Sequence, residues 1–365
     1  MNLCDLAVES IAGLQPYVPG KTIEELQRQY GIRDVIKLAS NESPIGPSQA
    51  AQAAIALATR ELTRYPDGNG YSLKLALSEK FQVDADQVTL GNGSNDVLEL
   101  IARCFVTAHD EVMFAQHAFA VYPLVAQAIG AKLVEVPARN FGHDLSAMQQ
   151  AVTAKTKLIF IANPNNPTGT YLPAREVHAF LQAVPDNVIV VLDEAYVEYG
   201  DEPVNTIEWL AEFPNLIICR TFSKAYGLAG LRVGFALSSP DIANLLNRLR
   251  QPFNVNHLAM SAAIAALGDE DYLQRAKQVN EQGMQQFIDG FNQLGLDYIP
   301  SKANFICVDV GRPAAEIYEK LLQQGVIVRP VAGYGLPTHL RISIGLEHEN
   351  QRCLEALANS LSDHT

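Results

Sequence analysis

The sequence predicts an α/β protein in which a mostly parallel sheet lies between layers of helices. Three apolar runs, KLIFIANP, NVIVVLDEAY and NLIICRTFS, are rich in β-branched residues, and each ends in polar residues. Continuous apolar runs of this kind indicate strands that are buried on both faces, as in parallel sheets covered by helices. Helical segments alternate with strands from about residue 50 onward. A chain of 365 residues is long enough for one large domain and a smaller one.

The other elements follow in the order that such a fold requires. A proline-containing arm with one helical piece, IEELQRQY, occupies residues 1–45. The expected helices of the large domain are AAQAAIALATREL, SLKLALSEKF, DVLELIARCF and YPLVAQAIG, and its further strands are QVTL, EVMFA and KLVEVPA. A helix-rich stretch over about 241–295 leads to the strands NFICVDV, VIVRPV and HLRISIG. We therefore predict a large domain over 46–255 and a smaller α/β domain over 256–365, against which the 1–45 arm packs.

Composition and charge argue against several classes of function. Lys and Arg number 27 against 40 Asp and Glu, so the net charge is −13, which disfavours binding to nucleic acid or to an anionic membrane. The N-terminus does not resemble a signal peptide, and no apolar run approaches the length of a membrane span. The five cysteines are scattered without CxxC spacing, which favours a reducing cytoplasm and argues against a metal site. We expect a cytoplasmic protein.

The stretch TLGNGSNDVLEL places a glycine loop between a strand and a helix. Backbone amides in such a loop can approach an anion, and the positive end of the helix dipole favours it. A plain strand–helix turn capped by Asn95 or Asp96 is the alternative. A dinucleotide-binding loop fits poorly, because Asp96 stands where its third glycine is needed.

The stretch NPNNPTGT follows the first of the three apolar strands. Each Asn-Pro pair favours extended or turn backbone before the proline, so the segment predicts a loop at the ligand edge of the sheet. It is either a plain turn or a loop that offers amide groups to a ligand. In the second case Asn166 can hydrogen-bond a phenolate oxygen and a substrate carboxylate at once.

The next strand ends in LDEAY. A carboxylate at the end of such an apolar strand needs a partner, because a lone buried charge is costly. Asp193 or Glu194 caps the following turn, or Asp193 pairs with a cationic ligand atom such as a protonated pyridine nitrogen. Tyr196 lies three residues further on, within reach of the same ligand.

The third strand leads into TFSKAYGLAGLRVG. Lysine is rarely buried without a partner, so taken alone this segment is most simply a surface turn. A lysine among small, uncharged residues is also the environment that activates an amine for Schiff-base formation. Thr221, Ser223 and Arg232 then offer donors for a phosphate, with Arg232 as a bidentate cation.

These four motifs in chain order describe a single ligand, pyridoxal 5′-phosphate, which carries a phosphate, a protonated pyridine ring and an aldehyde. Their order resembles that of the fold type I, aspartate aminotransferase-like enzymes. Within that group the chain is similar to the histidinol-phosphate aminotransferases along essentially its whole length. The stretches that carry the resemblance are LASNESPIGPS, RYPDGNG, HAFAVYPL, NPNNPTGT, LDEAY, RTFSKAYGLAGLRVGF and GVIVRPVAGYGLPTHLRISIG.

The resemblance implies a role for each matching residue of the cofactor site. Lys224 would bind the cofactor covalently and move the proton during catalysis. Asp193 would keep the pyridine nitrogen protonated, and Asn166 and Tyr196 would hydrogen-bond the ring oxygen O3′. Phe119 would stack on the ring, at a position where many relatives have tyrosine. The implied phosphate site consists of Gly93, Ser94, Asn95, Thr221, Ser223 and Arg232.

The resemblance also implies substrates and an assembly. Arg341 would bind the substrate α-carboxylate, with Asn41 nearby, while Arg329 and Tyr17 would meet the phosphate of histidinol phosphate. Tyr65 would reach the cofactor phosphate of a partner subunit, which implies a homodimer. The implied reaction, in histidine biosynthesis, converts histidinol phosphate and 2-oxoglutarate to imidazole-acetol phosphate and glutamate.

Two other functions stay open at this stage. An aromatic-amino-acid aminotransferase would share the scaffold and a similar arginine, and phosphothreonine decarboxylases share much of it as well. A nicotinamide-dependent dehydrogenase is consistent with GNGSN alone. It is disfavoured by Asp96 and leaves the other three motifs unexplained.

Overall fold

The computed structural model describes residues 3–16, 19–200 and 205–362. Its α-helices are α1 (Glu9–Ala12), α2 (Ile23–Tyr30), α3 (Gln49–Ala58), α4 (Tyr71–Phe81), α5 (Ser94–Phe105), α6 (Val121–Ile129), α7 (Leu145–Gln150), α8 (Ala174–Ala183), α9 (Pro240–Leu249), α10 (His257–Leu267), α11 (Glu270–Leu294), α12 (Ala314–Gln323) and α13 (Glu347–Ser362). Its strands are β1 (Ile36–Lys37), β2 (Val88–Gly91), β3 (Glu111–Ala115), β4 (Lys132–Val136), β5 (Thr156–Ala162), β6 (Ile189–Asp193), β7 (Leu216–Thr221), β8 (Gly234–Ser238), β9 (Tyr298–Ile299), β10 (Phe305–Asp309), β11 (Val326–Ile327), β12 (Arg329–Pro330) and β13 (His339–Ser343).

The large domain is built on a seven-stranded sheet with the strand order β2-β8-β7-β6-β5-β3-β4. Strand β8 runs antiparallel to both of its neighbours, and the other pairings are parallel. The three apolar runs form the adjacent strands β5, β6 and β7, which are almost entirely buried. The prediction of a mostly parallel α/β sheet is therefore confirmed.

Helices cover both faces of this sheet, and each face has its own apolar core. The side chains of α5, α6 and α9 pack on one face, and those of α3, α4, α7, α8 and α10 pack on the other. Helix α5 shows the cause, since Val97, Leu98 and Ile101 are fully buried along one side of it at the spacing of an amphipathic helix. The result is the predicted three-layer arrangement.

The strand register explains why the sequence motifs meet. Ala162 at the end of β5 pairs with Asp193 at the end of β6, and Asp193 pairs in turn with Cys219 near the end of β7. Parallel neighbours present their carboxyl ends at one edge of the sheet. The segments after the three strands, which carry NPNNPTG, DEAY and SK, therefore emerge side by side.

The C-terminal part forms a second, antiparallel sheet with the order β12-β13-β10-β9, and α11, α12 and α13 pack around it. The predicted strand VIVRPV is divided between two sheets. Its first part, β11, pairs with β1 of the arm, and its second part, β12, pairs with β13. The arm is thus joined to the C-terminal part by backbone hydrogen bonds.

Helix α10 packs on α3 and α4, and its Ala259 and Ala263 are buried with the large-domain core. The antiparallel sheet begins later in the chain, at β9. The division into 46–255 and 256–365 stays a prediction.

Among the described residues, no helix combines the length and the apolar character needed to cross a bilayer. The described part of the chain also contains no group of three or more His, Cys, Asp or Glu side chains arranged to hold a metal ion. The described cysteine side chains, at 104, 219, 307 and 353, are free thiols. The cytoplasmic location stays a prediction.

Candidate active site

A cavity of about 170 Å³ lies at the carboxyl ends of β5, β6 and β7, between the arm, the large domain and the antiparallel sheet. It brings together most of the residues that the sequence predicts. Those that line it are Asn41, Ser94, Asn95, Phe119, Asn166, Asp193, Tyr196, Thr221, Ser223, Lys224, Arg232, Arg329 and Arg341.

Lys224 follows β7 and turns its amine into this cavity. Its Nζ donates a hydrogen bond to the Ser40 carbonyl at 3.0 Å and lies 5.7 Å from the centre of the Tyr196 ring. Burial, helped by the nearby Arg341 guanidinium, lowers the pKa of Lys224 to about 7. A large fraction of this amine is therefore neutral and nucleophilic near neutral pH.

Asp193 ends β6 and is only 4% exposed. Its carboxylate accepts hydrogen bonds from the Tyr122 hydroxyl at 2.7 Å and from the Ala195 amide at 3.2 Å. Burial raises the pKa of Asp193 to about 6. Among the described residues it forms no salt bridge, so its negative charge is available to a cationic ligand atom.

Asn166 and Arg341 meet on the opposite side of the cavity, although they lie in different domains. The Arg341 Nη1 donates to Asn166 Oδ1 at 2.5 Å, and its Nη2 donates to the Ala39 carbonyl at 2.8 Å. The buried Nε has no hydrogen-bond partner within the described part of the chain. This arginine is held in place and retains a donor for an anionic ligand.

The predicted phosphate loop surrounds the Arg232 guanidinium. Arg232 Nη1 donates to Ser223 Oγ at 3.2 Å. Gly93 has a φ of +82°, and a Cβ atom there would lie 2.4 Å from Arg232 Nη2, so only glycine leaves room for the guanidinium. Helix α5 begins directly after it, at Ser94, and adds the positive end of a twelve-residue helix.

The alternative cap for this helix is wrong. The N-cap residue is Gly93, not Asn95 or Asp96. Asp96 instead accepts hydrogen bonds from the Asn92 amide and from the Asn254 side chain, both at 2.8 Å. The aspartate therefore ties the loop to the rest of the domain and leaves the helix amides available to a ligand.

The chain matches the family model described as aminotransferase class I and II over residues 33–357. The histidinol-phosphate aminotransferase 2 of Pseudomonas fluorescens strain Pf0-1 is 56% identical over 365 residues, with 99% of each chain covered. The histidinol-phosphate aminotransferase 1 of Nitrosococcus oceani is 55% identical, with 98% of this chain and 97% of the relative covered.

The chain belongs to the histidinol-phosphate aminotransferases of the class I and II aminotransferase family. A crystal structure of histidinol-phosphate aminotransferase from Sinorhizobium meliloti in complex with pyridoxal-5′-phosphate has the same fold. Its TM-score is 0.91 at 33% identity, with 98% of both chains covered. The predicted family and fold class are thus confirmed.

Three cavity-lining residues of this aminotransferase were missed by the sequence analysis, namely Ser40, Tyr122 and Tyr334. Tyr122 had a usable signal, since a tyrosine in an apolar helix needs a partner for its hydroxyl, and it lies one helical turn after Phe119. That partner is Asp193. Ser40 and Tyr334 gave no local signal, because the folding of the arm and of the second domain brings them to the cavity.

Two predicted residues do not line the cavity. Tyr65 is 84% exposed and stacks on Phe253 with ring centres 4.8 Å apart. Tyr17 lies outside the described residues. The roles that the resemblance implies for both stay predictions.

Proposed function

We propose that the chain is a pyridoxal-phosphate-dependent aminotransferase that converts histidinol phosphate and 2-oxoglutarate to imidazole-acetol phosphate and glutamate. The observation that carries the proposal is a buried, low-pKa lysine in the same cavity as two arginines. The names of the similar proteins from Pseudomonas fluorescens and Nitrosococcus oceani support the choice of substrate.

The cavity fits the cofactor in three respects. Gly93 and Arg232 form a cradle for a phosphate, Asp193 is a buried carboxylate suited to a ring cation, and Lys224 supplies an amine suited to an aldehyde. When bound, pyridoxal 5′-phosphate supplies the aldehyde that carries the amino group and a ring that accepts electrons.

The residues around that group then divide the remaining tasks. Lys224 is the base that takes the proton from the substrate Cα, because its lowered pKa matches the working pH. Tyr196 and Asn166 offer hydrogen bonds at the side of the cavity that Lys224 faces. Asp193 holds its negative charge in a buried place, where it acts strongly on a nearby cation.

Arg329 and Arg341 explain how one site accepts two different substrates. They are direct cross-strand partners on β12 and β13, so their side chains leave the same face of the sheet, and both line the cavity. Glutamate has a carboxylate on the reacting carbon, whereas histidinol phosphate has a doubly charged phosphate one carbon further away. A pair of arginines suits the phosphate better than one does.

Half-reaction spectra of the purified holoprotein against histidinol phosphate, phenylalanine, tyrosine and glutamate test this function. We expect the highest kcat/KM for histidinol phosphate. Arg329→Gln is expected to lower kcat/KM for histidinol phosphate by about 30-fold, as for the loss of one charged hydrogen bond, and to change the value for phenylalanine much less. Arg352→Gln, which removes a surface ion pair with Asp34, is the matched control. A higher kcat/KM for phenylalanine or tyrosine would establish the aromatic-amino-acid aminotransferase instead.

We further propose that the chain acts as a homodimer whose active sites are shared. Large apolar side chains are exposed around a groove of about 370 Å³ that Tyr65 and Met260 line, and contiguous apolar surface of this kind marks protein interfaces. The exposed side chains near it are Leu57 (63%), Leu62 (61%), Tyr65 (84%), Tyr71 (64%) and Phe253 (43%).

Tyr65→Phe is expected to weaken pyridoxal 5′-phosphate binding by about tenfold through the loss of one hydrogen bond to phosphate. It keeps the stacking ring, so the dimer mass in analytical ultracentrifugation should not change. Tyr71→Phe removes a neighbouring exposed hydroxyl and serves as the control. A monomeric wild-type protein, or equal cofactor affinity in both variants, would contradict the shared site.

A further inference from the structure

Asn41 lies where the arm crosses the cavity, and its environment is unusual for a residue of an arm. It is only 1% exposed and has a φ of +56°, a left-handed conformation that asparagine tolerates better than most residues. The resemblance implies a substrate contact for this residue. Its hydrogen bonds point to a different role.

Four polar groups of Asn41 are already engaged. Its backbone amide donates to Ser343 Oγ at 2.8 Å, and its carbonyl accepts from Asn304 Nδ2 at 3.0 Å. The Ser343 hydroxyl donates to Asn41 Oδ1 at 3.1 Å, and Asn41 Nδ2 donates to the Tyr196 hydroxyl oxygen at 2.9 Å. One residue thus connects the arm, the C-terminal sheet and the large domain.

Ser343 determines which way the Asn41 amide faces. Its hydroxyl oxygen accepts the backbone N–H of Asn41, and its single hydrogen is given to Oδ1. With Oδ1 turned to the serine, the NH₂ group faces Tyr196.

This orientation controls the hydrogen of the Tyr196 hydroxyl. A tyrosine hydroxyl has one hydrogen to donate, and Asn41 supplies a donor rather than an acceptor, so that hydrogen is left for the cavity. Burial raises the pKa of Tyr196 to about 12, so the hydroxyl keeps its hydrogen at neutral pH.

We propose that Asn41 is a positioning residue that holds the Tyr196 hydroxyl as a hydrogen-bond donor toward the O3′ oxygen of the cofactor. The proposal rests on the proposed function, because it assumes that pyridoxal 5′-phosphate binds in the cavity. It assigns Asn41 an effect that passes through Tyr196 and replaces the implied contact with substrate.

The test is a pH titration of the visible absorbance of the holoprotein without substrate. A hydrogen bond donated to O3′ favours its anionic form and so keeps the pKa of the bound chromophore low. Asn41→Gly removes the side chain without adding charge, and glycine accepts the positive φ. We expect the chromophore pKa to rise by about one pH unit, as for the weakening of one hydrogen bond to a charged oxygen.

Two further variants separate positioning from other effects. In a Tyr196→Phe background the Asn41→Gly change should have no further effect on the chromophore pKa, because its target is gone. Ser343→Ala keeps Asn41 but frees its amide to turn, so it should raise the chromophore pKa in the same direction by a smaller amount. It also serves in place of Asn41→Gly if that variant does not fold.

A wild-type chromophore pKa in Asn41→Gly, or the same rise with and without Tyr196, would overturn the proposal and leave Asn41 as a support for the arm. A change in KM for histidinol phosphate alone would return it to the substrate contact, which also overturns the proposal. Failure of the proposed function looks different, since the wild-type protein would then form no chromophore with pyridoxal 5′-phosphate.

Discussion

Lys224→Ala is expected to lower the rate of amino transfer by about 10⁴-fold, because it removes the base that moves the proton at the substrate Cα. It is also expected to abolish covalent attachment of the cofactor. Borohydride reduction followed by peptide mass spectrometry should place pyridoxal 5′-phosphate on Lys224 in the wild-type protein and on no lysine in the variant. Lys224→Arg should fail in the same way, because a guanidinium stays charged.

The pH dependence of this reaction follows from the lowered pKa. The folded-state pKa of Lys224 is about 7, against an ordinary value of 10.5, so the neutral amine increases as the pH rises through about 7. Loading of the apoprotein with cofactor should accelerate over that range and level off above it. The cost of burying the charged amine falls over the same range, so the apoprotein should gain stability from this group as the pH rises.

Lys277→Ala is a matched control. Lys277 is also partly buried, and its Nζ also donates to a backbone carbonyl, that of Gly200 at 3.2 Å, but it does not line the cavity. Its variant should keep both the attached cofactor and most of the activity. If Lys224→Ala retained covalently bound cofactor, the assignment of the reactive amine would be wrong.

Asp193→Asn is expected to lower kcat by about 10³-fold, the size of effect expected when one partner of a buried charged pair is removed. Asparagine has nearly the same shape and can still accept from Tyr122, so the change is mainly one of charge. Without the carboxylate the ring nitrogen of the cofactor would lose its proton, and electron withdrawal from the reacting carbon would weaken. Single-turnover kinetics with histidinol phosphate measure this loss.

Glu194→Gln is a matched control for Asp193→Asn at the next residue. Glu194 points to the other side of the strand end, where its carboxylate pairs with Arg220 at 2.7 Å and accepts from Thr206 Oγ1 at 2.6 Å. Its variant should lose about 3 kcal/mol of unfolding free energy, because a buried charge is left alone. Its kcat should change little. A large loss of kcat in Glu194→Gln with little loss in Asp193→Asn would exchange the two roles.

The sequence was sufficient for the large sheet because its central strands are continuous apolar runs. Such runs can be stable only when both faces are covered, so the pattern itself indicates a buried parallel sheet. The segment VIVRPV was harder to predict, because it is short and is divided between β11 and β12 in separate sheets. Partners far along the chain decide such a division, and local periodicity does not record them.

The cofactor residues were also predictable, because each motif directly follows or adjoins a recognisable strand. The chemistry of the residue type then limits the choice, as for a lysine among small residues or a carboxylate after an apolar strand. Their parallel register confirms that the strand ends meet. The roles of the individual residues remain predictions that the variants above test.

The sequence by itself determined the family, the fold class and the residue types that face the cavity, since these depend on local patterns and on motif order. Only the tertiary structure decided which of these residues touch. Arg341 and Asn166 are 175 residues apart in the chain, Asn41 and Tyr196 are 155 apart, and Asn41 and Ser343 are 302 apart. Contacts across such distances arise from the docking of the arm and the second domain, and that docking also sets the direction of each hydrogen bond.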